Sequence, residues 1–104
     1  MAKSLEYWRE KIDDLDRRLV RLLAQRTHCA IEIGKLKAEQ QVQIYDPKRE
    51  EDVMANIQAA AEGWLTPESA RRIFERIVDE TRRTERQHRK LLDAGREAPE
   101  GGDS

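Results

Sequence analysis

The chain is predicted to be all-α, built from three helices of which the first is very long, and to pair with a second copy of itself. Three observations predict this. Apolar residues recur in alternating three- and four-residue steps from the N-terminus onward, the spacing of one helix face. Two dipeptides, Asp46-Pro47 and Thr66-Pro67, combine a helix-capping residue with a proline suited to the first helical position. Charged residues make up 39% of the 104 positions and hydrophobic ones 38%, with five glycines and three prolines, a balance that favours salt-bridged helices over sheets.

The first helix is read from Leu5, Trp8, Ile12, Leu15, Leu19 and Leu22, continuing through Cys29, Ile33 and Leu36. Val20, Leu23, Ala30 and Ile31 widen the stripe, so the segment from about Ser4 to Glu39 is one helix in spite of Gly34. At 1.5 Å per residue it spans roughly 50 Å. A compact domain of this size has a diameter of only about 26 Å. The remaining residues cannot cover such a helix, and a single small domain buries only about 60 to 65% of its unfolded surface, so a homodimer in which two long helices share a core is expected.

Gln40 to Tyr45 reads as a short polar connection. The second helix is expected from about Pro47 to Glu62, with an inner face through Glu50, Val53, Met54, Ile57, Ala60 and Ala61, and with Gly63 closing it. Trp64 and Leu65 are placed across the junction to the next element. The third helix is expected from about Pro67 to Leu92, its inner face running through Ala70, Ile73, Phe74, Ile77 and Val78 and turning polar at Thr81, Thr84, Glu85 and His88. One helical domain thus occupies residues 1–92. The tail from Asp93 to Ser104, rich in Gly, Glu and Asp, is expected to be disordered.

Composition excludes several classes of function. Lys+Arg number 20 against 21 Asp+Glu, a formal charge of -1, so there is no global basic field of the kind nucleic-acid binding draws on. A helix-turn-helix reader is further disfavoured by the length of the helices. Two histidines, His28 and His88, with no metal-ligand spacing provide no metal site, and there is no glycine-rich phosphate loop. No stretch approaches eighteen apolar residues and the N-terminus lacks the apolar segment of a signal peptide, so neither a membrane span nor export is expected. Cys29 stands alone and is read as a small buried hydrophobe in a reducing, cytoplasmic setting.

The informative residues are charges on faces that the periodicity assigns to the core. Arg26 occupies a position where the first repeat demands an apolar side chain. Burying a guanidinium without an anion costs several kcal/mol, so a carboxylate from the protein or from a ligand is required. Lys37 and Arg9 flank the same stripe. Arg9 stands about 25 Å from Arg26 by helical rise, so the two can meet around one ligand only if Arg9 comes from the partner chain. A plain coiled coil whose seam tolerates an arginine would account for the first helix alone. Arg49 and Glu50 at the start of the second inner face, and Thr81 and Glu85 on the third, suggest a pocket instead.

These residues fall in runs similar to those of the all-helical chorismate mutase family. The runs are Trp8-Arg9-Glu10-Lys11-Ile12-Asp13-Asp14-Leu15-Asp16, Leu22-Leu23-Ala24-Gln25-Arg26, Ile33-Gly34-Lys35-Leu36-Lys37, Asp46-Pro47-Lys48-Arg49-Glu50, and Ile73-Phe74 through Glu85. The resemblance covers about Leu5 to His88. It implies an intertwined dimer with sites shared between subunits, and a cofactor-free rearrangement of the dicarboxylate chorismate to prephenate. By position it implies that Arg26 and the partner's Arg9 bind substrate carboxylates, that Arg49 joins the cationic lining, and that Lys37 contacts a carboxylate and the ether oxygen. Glu50 and the backbone near Asp46 would hold the ring hydroxyl. Thr81 stands where relatives often have Ser. Glu85 stands where many have Gln, and a carboxyl there must be protonated to donate a hydrogen bond to the ether oxygen. The same pocket could serve 4-amino-4-deoxychorismate, or isochorismate with loss of pyruvate. Outside catalysis, a helical dimerisation module or the regulatory subunit of a larger enzyme remains open.

Overall fold

A computed structural model describes residues 2–97 and contains three helices, α1 (Leu5–Glu39), α2 (Pro47–Ala60) and α3 (Pro67–Glu97). Each start follows from a local cap. The Ser4 hydroxyl accepts from the Tyr7 N–H at 3.1 Å, Asp46 Oδ1 accepts from the Arg49 N–H at 3.1 Å, and the Thr66 hydroxyl accepts from the Ser69 N–H at 3.1 Å. These bonds satisfy backbone donors that a helix end leaves free.

The end of α1 shapes the site. Val42 N–H bonds the carbonyl of Lys37 at 2.8 Å and Gln41 N–H that of Ala38 at 3.2 Å, a Schellman pair in which Gln41 takes the left-handed conformation at φ 58°. Glycine is usual at this place, and its absence from the sequence left the turn without a signal. The reversal returns the connection alongside the last turn of α1.

The structure corrects four details of the sequence reading. Helix α2 stops at Ala60 instead of Glu62, because Ala61 is already extended and a turn closed by the Leu65 N–H on the Glu62 carbonyl occupies the junction. Gly63 adopts φ 60° inside that turn, where a side chain would be strained. Trp64 does not bridge the junction; it sits at the tip of the turn, fully exposed. At the other end α3 runs past Leu92 to Glu97, so 93–97 extend the helix, while the rest of the expected tail, 98–104, lies outside the described residues.

Helix α3 packs against both α1 and α2, which do not pack on each other. The core is thin: its buried apolar side chains are Ala30, Ala38, Met54, Ala70 and Val78. The predicted stripe of α1 is bare along its length, with Leu5, Trp8, Ile12, Leu15, Leu19, Leu22, Ile33 and Leu36 each at least 50% exposed, and the face of α1 that the chain itself buries is Ala30, Gly34 and Ala38 instead. The result is an elongated chain, 69 × 33 × 15 Å, with a radius of gyration of 18.8 Å against the ~13 Å of a compact domain of this length.

Candidate active site

The second half of α1, where Ala30, Gly34 and Ala38 are buried, faces α3, and here the polar residues of the three inner faces meet. A cavity of about 240 Å³ is lined by Arg26, Cys29, Ala30, Ile33 and Lys37 of α1, Ile44 and Asp46 of the connection, Arg49, Glu50 and Val53 of α2, and Val78, Thr81, Arg82 and Glu85 of α3. Small-molecule pockets typically hold about 300 to 1,000 Å³. Every candidate site residue except Arg9 is therefore brought to one cavity. Arg9 is exposed on the uncovered N-terminal half of α1.

Arg26 is half-buried and donates from Nη1 to the Thr81 hydroxyl at 2.8 Å, while that hydroxyl donates to the Ile77 carbonyl at 2.8 Å. Thr81 is neutral. Among the described residues no carboxylate lies within ion-pair distance of Arg26, although Glu85 is near enough to feel its charge. Lys37 Nζ donates to the Ile44 carbonyl at 2.8 Å, a contact made possible by the reversal after α1. An ammonium has three donors, so this bond holds the group in place with capacity remaining. Arg89 ties the same connection to α3 through Nη2 and the Val42 carbonyl at 3.1 Å.

Glu85 rests against α1 at Gly34, one turn before Lys37 on the same helix face. Its Oε2 is 3.8 Å from where a Cβ at Gly34 would stand, an ordinary contact distance, so the carboxyl packs against this turn of the helix. Burial pushes the Glu85 carboxyl above its ordinary range, and the nearby Lys37, Arg26, Arg82 and Arg89 only partly offset this. Desolvation penalises the charged form, so the neutral acid is favoured. A protonated carboxyl can donate a hydrogen bond.

Two residues depart from the sequence reading. Cys29 is exposed and lines the cavity instead of being buried, because no element of the same chain covers that side of α1. Arg82 was not singled out, yet it lines the cavity and binds the Glu50 carboxylate through Nε at 3.1 Å and through Nη2. The available signal was its position four residues after Val78 and three before Glu85, on the same face of α3. It was obscured by Arg71, Arg72, Arg76, Arg83 and Arg86, which spread cations around the whole helix.

The arrangement places several cations, a paired carboxylate and a carboxyl shifted toward its acid form around one small space. It is suited to a small polyanion.

Comparison with known proteins agrees. The family model for chorismate mutase type II matches residues 8–86. A bifunctional chorismate mutase/prephenate dehydratase of Stutzerimonas stutzeri is 35% identical over an 83-residue alignment that covers 74% of this chain and 22% of that protein. Chorismate mutase of Thermus thermophilus superposes with a TM-score of 0.78 at 32% identity, covering 81% of this chain and 96% of that one. Chorismate mutase of Helicobacter pylori, solved in complex with prephenate, superposes with a TM-score of 0.76 at 29% identity, covering 83% and 93%. The chain spans about a fifth of the length of the first curated relatives it matches.

Proposed function

The chain belongs to the chorismate mutase type II family, and from that premise we propose that it rearranges chorismate to prephenate as a cytoplasmic homodimer with active sites drawn from both subunits, in aromatic amino-acid or related metabolism. The observation that carries this reading is the meeting of Arg26, Lys37 and Arg49 with Glu85 in one cavity. A site with three cations beside a carboxyl shifted toward its neutral form fits a doubly negative ligand.

The reaction is pericyclic: the ether C–O bond breaks as a new C–C bond forms within one molecule. The protein has two tasks. Cations on both carboxylates hold the side chain over the ring in a reactive geometry. Donors placed at the ether oxygen stabilise the negative charge that grows there as the bond breaks. Lys37, fixed through Ile44, and the protonated carboxyl of Glu85 fill that second role. Arg26 and the partner's Arg9 fill the first, with Arg49 adding to the field; Thr81 holds Arg26 in place, and Glu50 with the backbone near Asp46 takes the ring hydroxyl.

The homodimer is supported by the bare stripe of α1, from Leu5 to Leu22. Monomers seldom expose apolar patches of that extent. A second copy laid along it would cover the stripe, bring an Arg9 to the open side of the cavity and complete its wall. No described helix is long and apolar enough to cross a membrane.

Turnover tests the reading. Purified chain incubated with chorismate should yield prephenate, identified by mass spectrometry, and a dicarboxylate transition-state mimic should abolish the product and raise the melting temperature. No product and no thermal shift, with chorismate left intact, would leave only a dimerising helical module.

The raised carboxyl of Glu85 adds a pH dependence whose sign is set. The native state holds this proton to a higher pH than the unfolded chain does, so its stabilising effect is present below 4.5, the ordinary value, and is lost as pH rises through the native value. Activity follows the same acid form. Turnover at saturating substrate should therefore fall from pH 5 to pH 8, and Glu85→Gln, which donates at every pH, should flatten both the rate profile and this part of the stability profile. A wild-type rate that is level or climbs over that interval contradicts the assignment.

A further inference from the structure

The Arg82–Glu50 pair sits inside the cavity, with the two side chains 22% and 29% exposed. The guanidinium of Arg82 also lies 4.6 Å from the centre of the Tyr45 ring, so one side chain of α3 clasps both α2 and the connection before it. Consider the carboxylates that line the cavity. Asp46 is committed to capping α2. Glu85 is shifted toward its neutral acid. Glu50 is the one of these three that has a guanidinium bonded to it, and Arg82 offsets the charge it would otherwise offer a ligand.

Resting on the function proposed above, we propose that Arg82 is a specificity-determining residue: it leaves Glu50 able to accept a hydrogen bond from a neutral hydroxyl on the substrate ring while removing the charge that would attract an ammonium there. A carboxylate has about four lone-pair positions. The fork of Arg82 occupies some of them and leaves others, so the acceptor survives although the net charge does not. A ring ammonium would meet a paired carboxylate beside an arginine, in a cavity whose other cations are Arg26, Lys37 and Arg49. Discrimination here comes from a repulsive element as much as from a new contact. Bidentate pairing and stacking on Tyr45 are tasks suited to arginine, but the discriminating property is its charge.

The test is the ratio of kcat/KM for chorismate to that for its analogue bearing an ammonium in place of the ring hydroxyl, measured on the full-length protein. The wild type should favour the hydroxyl substrate. Arg82→Met should lower the ratio at least tenfold, mainly through a smaller KM for the amine, and Arg82→Lys should retain most of the preference. Glu50→Gln, which keeps an acceptor but leaves Arg82 uncompensated, should raise the ratio, and it decides the matter should Arg82→Met fail to fold. An unchanged ratio in folded Arg82→Met, a loss in Arg82→Lys as large as in Arg82→Met, or an unchanged ratio in Glu50→Gln would overturn the assignment. A wild type that converts neither substrate overturns the proposed function instead, whereas good chorismate turnover with an unmoved ratio removes only the role of Arg82.

Discussion

Lys37→Ala is expected to lower turnover of chorismate by at least ~100-fold, the loss typical of removing one donor from a site of developing negative charge. The expectation follows from how Lys37 is held. Its ammonium is fixed on the Ile44 carbonyl at 2.8 Å and lines the cavity together with Glu85, so it meets the transition state already oriented. A water molecule taking its place would have to reorganise as the charge appears. The loss should lie mainly in kcat, because the ether oxygen carries little charge in the bound substrate and more in the transition state. Steady-state kinetics on the folded variant checks this. Near-native turnover would take Lys37 out of the mechanism.

Arg26→Met is expected to lower kcat/KM by about 2 to 5 kcal/mol, the usual consequence of truncating one partner of a desolvated charge pair, which is roughly 30-fold to several thousand-fold. Its side chain is half-buried and its one bonded partner, Thr81, is neutral. The methionine keeps the apolar stem and deletes the charge, so the melting temperature of the free protein should change little while its rise on adding a dicarboxylate mimic disappears. Arg26→Lys should recover part of the loss, because an ammonium supplies charge without the planar fork. If the variant loses stability but keeps its kinetics, Arg26 sets helix register and nothing more.

The fold was legible wherever a local cap or a long repeat carried it. Asp46-Pro47 and Thr66-Pro67 mark two of the three helix starts because capping is a short-range bond between neighbours in sequence, while the first start was read from the repeat and its Ser4 cap was not named. The lining of the candidate cavity was partly legible for a related reason: a cation within an apolar stripe conflicts with burial, and Arg26 and Lys37, which both line it, made that conflict visible. Where neighbours across space decide the outcome, the reading failed. Cys29 lies on the stripe but meets no covering element in its own chain. Trp64 is apolar, yet a turn built around Gly63 carries it outward. Arg82 could not be told from the other arginines of α3 until its partner, 32 residues earlier, was in view. The left-handed Gln41 that turns the chain back over Lys37 carries no glycine to announce it.

The claim on which the rest depends is that cations of two chains converge on one ligand, and subunit mixing tests it most directly. Arg9→Ala and Lys37→Ala should each be nearly inactive alone. Unfolded together and refolded as a mixture, half of the dimers should combine one chain of each kind, and such a dimer has one site with both Arg9 and Lys37 intact and one with neither. The mixture should therefore recover roughly a quarter of wild-type activity, as expected for random pairing in a two-fold dimer. A mixture no more active than the mean of the two variants would contradict a site shared between subunits.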